Sequence, residues 1–152
     1  MSGTSQNLLG RMLIQEGMLI RFSPDTIFGK NTTNHHFGVV VNANHAENTI
    51  GLIVGTTSQV ASVTEYALKR GLDVSTVVVI GGGQHPHFGK QTAFNCNAPK
   101  SIHMNQLAIW YKKGLIDVPD RQPYIDAALL IDIKTGVNNS DLVEDKVKKL
   151  LF

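Results

Sequence analysis

Three short runs of aliphatic and β-branched residues near the N-terminus, each closed by turn chemistry, constrain this chain more than any other feature. Gly17-Met18-Leu19-Ile20-Arg21-Phe22 stops at Ser23-Pro24-Asp25. Phe37-Gly38-Val39-Val40-Val41 ends in Asn42-Ala43-Asn44. Thr49-Ile50-Gly51-Leu52-Ile53-Val54 follows a turn near Glu47-Asn48. Runs of this length, bounded by Pro, Asn and Asp, read as strands joined by turns. Three of them in succession predict a compact antiparallel barrel or sandwich. Between the first and second, Gly29-Lys30-Asn31-Thr32-Thr33-Asn34 has loop composition.

Beyond the third run the pattern is mixed. Val63 to Arg70 reads as a helix, with Gly71 where a C-terminal glycine belongs. Ser75–Ile80 and Gln91–Cys96 read as strands, whereas Ile102–Tyr111 and Ala127–Ile133 suit a strand or a helix equally. The last segment predicts a helix capped by Ser140, with Leu142, Val143, Val147, Leu150 and Leu151 at helical spacing. The expected class is mainly β with helical additions (α+β), a small SH3-like barrel with a C-terminal helix. Residues 1–10 are expected to form a flexible arm and residues 11–152 a single barrel domain. A length of 152 residues suits one core, and 42% hydrophobic with 17% charged residues excludes wholesale disorder.

Charge narrows the function little. Fourteen Lys and Arg against twelve Asp and Glu give a net +2, which neither announces a nucleic-acid binder nor forbids a local basic patch. The one cysteine, Cys96, cannot form an intramolecular bridge or a cysteine zinc cluster, so the expectation is a reduced, cytoplasmic protein. The first ten residues lack the form of a signal peptide, and the longest apolar runs are too short to cross a bilayer; no membrane partner is expected.

Several segments invite chemistry. Gly81-Gly82-Gly83 resembles a phosphate-cradling turn, but Gln84-His85-Pro86-His87 follows where a helix would have to begin. His85 and His87 at spacing two would point the same way on a strand, as metal ligands do. The carboxylate of a cupin-type set is missing, and Gly89 stands where a histidine triad needs its third His, so the default is a solvated loop pair. No metal or other cofactor is expected. His35-His36 lies at a loop-to-strand junction with His45 beyond the strand. Thr56-Thr57-Ser58 closes the third run with hydroxyls suited to a phosphate or to a hydrogen-bonded turn. Cys96 reads as strand filler.

Taken in order, these pieces resemble the PemK/MazF-like toxin family of small bacterial endoribonucleases. The resemblance runs through Gly17–Phe22, then His36-Phe37-Gly38-Val39-Val40-Val41-Asn42, then Leu52–Ser58. It continues loosely through Thr92-Ala93-Phe94-Asn95-Cys96-Asn97 and a closing helix after Asn138-Asn139-Ser140. His36-Phe37 stands where the family carries Arg-Pro, and Gly17-Met18 where it carries Gly-Asp or Gly-Glu.

What the resemblance implies is metal-independent cleavage of single-stranded RNA by a homodimer restrained by an antitoxin protein or RNA. Thr56 or Thr57 would contact the scissile phosphate with Ser58 in support, and His36 would serve as acid or base in the arginine's place. Arg21 and Lys30 would stabilise charge, and His85, His87 and Lys90 would approach substrate from the long insert. Lys100 would add to a basic face, with Phe28, Phe37 and Phe88 available for base stacking. Two other classes compete: a non-catalytic barrel that binds nucleic acid or protein, and a metal hydrolase centred on His85 and His87.

Overall fold

Strands Leu19–Phe22, Val39–Val41 and Leu52–Val54 are apolar at nearly every position, so each must be covered on both faces. The computed structural model, which describes residues 14–23, 36–42 and 50–151, meets that requirement with helices on both sides of one antiparallel sheet. In chain order the elements are β1 (Leu19–Phe22), β2 (His36–Val40), β3 (Ile50–Thr57), α1 (Val60–Lys69), β4 (Val77–Ile80), β5 (Thr92–Asn95) and β6 (Lys100–His103). There follow α2 (Met104–Lys112), β7 (Ile116–Asp117), α3 (Ala127–Asn139) and α4 (Asp145–Lys148). The sheet has seven strands in the order β4-β5-β3-β2-β1-β7, with β6 paired to β3 beyond β5.

Side chains alternate across the sheet and build two cores. Leu19, Val39, Val54 and Phe94 face one side, where Ile133 and Val137 of α3 join them. Ile20, Phe22, Val40 and Ile53 face the other, against Met104 and Leu107 of α2. The expected α+β class and the antiparallel pairing are present. Among the described residues the ladder is open, with β4 and β7 at its ends, so it does not itself form a closed barrel. No described helix is long and apolar enough to cross a membrane. The arm expected over 1–10 and the loop residues Phe28 and Lys30 lie outside the described residues.

Several local expectations are refined by particular side chains. The α1 helix ends at Gly71 with φ +66°, and the Leu72 N–H bonds the Ala67 carbonyl, as a left-handed glycine closure requires. Asp73 Oδ1 accepts from the Ser75 N–H and hydroxyl, folding Val74–Thr76 into a 3-10 turn, so β4 begins at Val77 and not at Ser75. Both ambiguous segments are settled. Ile102 ends up in β6 with α2 starting at Met104, and Asp126 caps α3 by accepting from the Leu129 N–H at 2.7 Å.

The C-terminal reading is corrected. Ser140 does not start a helix; it follows α3, fully buried, and its hydroxyl donates to Asn97 Oδ1 at 2.6 Å while accepting from the Leu142 N–H. Only Asp145–Lys148 is helical beyond it, because Val143 and Leu151 reach the core through successive turns. A second irregularity shapes the sheet. Between the pairs Thr57↔Ala93 and Ile53↔Lys100, three residues of β3 are matched by six of the opposite chain. The surplus bulges out and carries buried Cys96 and Asn97.

Candidate functional site

The ends of β2 and β3 bring the sequence-derived candidates to one end of the sheet. Gly38 pairs with Gly55 and Val39 with Val54, and the same register carried outward sets His36 opposite Thr57 and Phe37 opposite Thr56. Opposed residues share a face, so His36 and Thr57 lie on one side while Thr56 lies on the other. The Thr56 hydroxyl is spent on the sheet itself, donating to the Phe37 carbonyl at 2.8 Å. The Thr57 hydroxyl oxygen accepts from the Gln59 N–H at 3.0 Å, leaving its own O–H as a donor. The expected Thr56/Thr57 pair is therefore divided by the pleat.

Beside His36 and Thr57 the glycine pair keeps the sheet low. A Cβ on Gly38 would meet Ile53 Cγ2 at 2.6 Å and Phe22 Cε2 at 3.2 Å, so this position accepts no side chain without movement. The resulting cleft, about 210 Å³, is bordered by His36 and Phe37 of β2, Gly55, Thr56 and Thr57 of β3, and Asn95, Ala98 and Lys100. Lys100 and Asn95 arrive from either end of the bulge between β5 and β6. Among the described residues no carboxylate borders this cleft, and its charged and basic side chains are Lys100 and His36. Such a charge balance favours an anion over a cation.

A second cleft of about 420 Å³ opens beyond Phe37, which borders both. Asp117, Arg21 and Phe37 form one cross-strand row, Arg21 being paired with Asp117 on one side and Phe37 on the other. Arg21 Nε and one terminal nitrogen donate to the two Asp117 oxygens at 3.0 and 2.5 Å. This hydrogen-bonded contact, and then the carboxylate's charge, hold the Arg21 guanidinium above its ordinary pKa. His87 stacks on Phe37 with ring centroids 5.6 Å apart and planes 24° from parallel.

The His85/His87 pair is docked, which corrects the solvated-loop expectation. His85 is 8% exposed, its Nε2 lies 3.0 Å from the Tyr124 carbonyl, and its Nδ1 accepts from the His87 N–H. His87 Nε2 lies 2.6 Å from the Arg121 carbonyl. Both rings thus clamp the loop between β4 and β5 to the segment before α3, and Phe88 packs beneath them against Phe94. Among the described residues no three His, Cys, Asp or Glu side chains gather into a set able to hold a metal ion.

The candidates thus separate. His36, Thr56, Thr57 and Lys100 all border the first cleft, and Arg21 and His87 line the second. Thr56 braces β2, and His85 is committed to the loop clamp. Ser58 and Lys90 are exposed and border neither cleft, and Lys30 lies outside the described residues. Asn95, Asp117, Asp120 and Tyr111 were not singled out by the sequence. Only the polar run Asn95-Cys96-Asn97 gave a signal, whereas Asp117 sits in a two-residue strand that no periodicity marks. Comparison with protein-family models and with curated proteins gives no match to this chain.

Proposed function

We propose that this chain is a metal-independent endoribonuclease of the PemK/MazF toxin type, with the His36–Thr57–Lys100 cleft as its cleavage site. The observation that carries this reading is the convergence of an imidazole, a hydroxyl donor and an ammonium on one cleft that no described carboxylate borders. Cleavage of RNA by its own 2′-hydroxyl needs a base, donors for the phosphorane oxygens and a proton for the leaving group. His36 takes the 2′ proton as that oxygen bonds to phosphorus. The Thr57 O–H and the Lys100 ammonium hold the non-bridging oxygens, where negative charge builds up. The P–O5′ bond then breaks, and the 5′-oxygen takes its proton from the Lys100 ammonium or water, leaving a 2′,3′-cyclic phosphate on the other fragment.

On this reading the open sheet, with its ends at β4 and β7, is a departure from the closed toxin-type barrel, and the functional unit is a homodimer restrained by an antitoxin protein or RNA. The test is a long single-stranded RNA incubated with purified protein in EDTA. Discrete fragments ending in cyclic phosphate are the expected result. Salt-dependent binding with no cutting would overturn the nuclease and leave the non-catalytic nucleic-acid module.

A further inference from the structure

We propose that the cleft beyond Phe37 is a guanine-binding subsite, which reads one base of the strand whose phosphate lies in the His36 cleft; the inference rests on the nuclease reading for its RNA substrate. The two clefts meet at Phe37, so a strand whose backbone passes the start of β2 can set a base against that ring. The cavity of about 420 Å³ falls in the range of roughly 300–1,000 Å³ typical of small-ligand pockets. Phe37, His87 and Tyr111 give it π-surface, on which any base stacks.

Selection comes from the polar groups. Guanine presents two adjacent donors, N1–H and N2–H₂, on one edge and two acceptors, O6 and N7, on another. A carboxylate complements the first edge and a guanidinium the second. The cleft holds one of each in addition to the Arg21–Asp117 pair's own needs. Asp120 is an exposed carboxylate on its rim, and the bidentate contact with Asp117 uses only two of the five N–H donors of Arg21. Adenine and cytosine offer a single amino donor beside an acceptor, and uracil a single N–H between acceptors. None of them presents two adjacent donors to the carboxylate together with two adjacent acceptors to the guanidinium. Asp117, gripping Arg21 from the adjoining strand, fixes the guanidinium plane before the base arrives.

The experiment titrates the protein separately with GMP, AMP, CMP and UMP by calorimetry, and repeats the series with Asp120→Ala and Tyr111→Ala, both exposed positions whose replacement leaves the cores intact. GMP should bind roughly ten- to hundredfold tighter than the other nucleotides, the factor one bidentate base contact supplies. Asp120→Ala should erase that preference, while Tyr111→Ala should weaken all four alike. Equal affinity for the four, or a GMP preference that survives Asp120→Ala, would overturn the subsite.

A parallel map of RNA cuts separates this from the nuclease reading. Cuts without regard to guanine, together with equal nucleotide affinities, sink the subsite and leave the nuclease. A GMP preference lost in Asp120→Ala, with no RNA cut, upholds the subsite and sinks the nuclease. In that case a guanine-containing oligonucleotide that fails to compete with GMP identifies the ligand as a free nucleotide, and one that competes identifies a bound strand.

Discussion

At the residue scale, burial and hydrogen bonding decide which polar side chains are available. Cys96 is fully buried, and burial pushes its thiol up to about 12, so at neutral pH it is a protonated, inert thiol. Native protein should resist alkylation by iodoacetamide at pH 8 and label rapidly in urea; fast labelling of the folded chain would contradict this burial. The sign of the pH effect follows. The unfolded thiol ionises near 9 while the folded one holds its proton to about 12. Stability should therefore fall as pH rises through that window, and fall less steeply in Cys96→Ala. Gly38 makes the same point in steric form. Gly38→Ala must displace Ile53 or Phe22 and should cost about 1–3 kcal/mol, measured by urea denaturation.

At the scale of elements, α3 is held to the sheet by close approach as well as by apolar burial. A Cβ on Gly136 would stand 2.5 Å from the Ser75 carbonyl oxygen and 2.8 Å from Cys96 Sγ. Nearby, the Ser140 hydroxyl donates to Asn97 Oδ1, and Asn97 Nδ2 donates to Thr76 Oγ1 at 2.9 Å, all three residues being buried. Asn97→Ala leaves both hydroxyls without this partner and should destabilise the fold by about 1–3 kcal/mol per stranded group. A change below a few tenths of a kcal/mol in thermal or urea unfolding would show that the chain beyond α3 is not pinned there.

These contacts also mark where the sequence is readable. The β1, β2 and β3 runs and the α1 end at Gly71 are local signals, because branched residues and a left-handed glycine act on their own neighbours. The Ser140 reading fails because a serine after an Asn pair looks like a cap until Asn97, distant in sequence, claims its hydroxyl. The site divides along the same line. His36 and the Thr56-Thr57 pair are visible as chemistry, but which threonine keeps its O–H for a ligand depends on the register with β2, which sets Thr56 beside the Phe37 carbonyl, a long-range property.

For the whole molecule, near-neutral charge is compatible with an RNA-facing surface because the groups are sorted between clefts. Lys100 and His36 stand where no carboxylate among the described residues borders, while Asp117 and Asp120 gather beyond Phe37. RNA affinity should weaken with salt, and Lys100→Ala should reduce the slope of log affinity against log salt by about 1 while weakening all sequences alike. An unchanged slope would remove Lys100 from the phosphate path.

On the proposed function, catalysis belongs to Thr57 with His36, and Thr56, whose hydroxyl is bonded to the Phe37 carbonyl, braces the sheet. The most direct measurement compares RNA cleavage in EDTA by wild type, His36→Ala, Thr57→Ala and Thr56→Ala, each checked for folding. His36→Ala and Thr57→Ala should lose about 10²-fold or more in cleavage rate with the fold intact, as removal of a base or a transition-state donor does. Thr56→Ala should cut at close to the wild-type rate and lose about 1 kcal/mol of stability with its bond to Phe37. Loss of cleavage in Thr56→Ala with Thr57→Ala unaffected would reverse the roles of the two threonines.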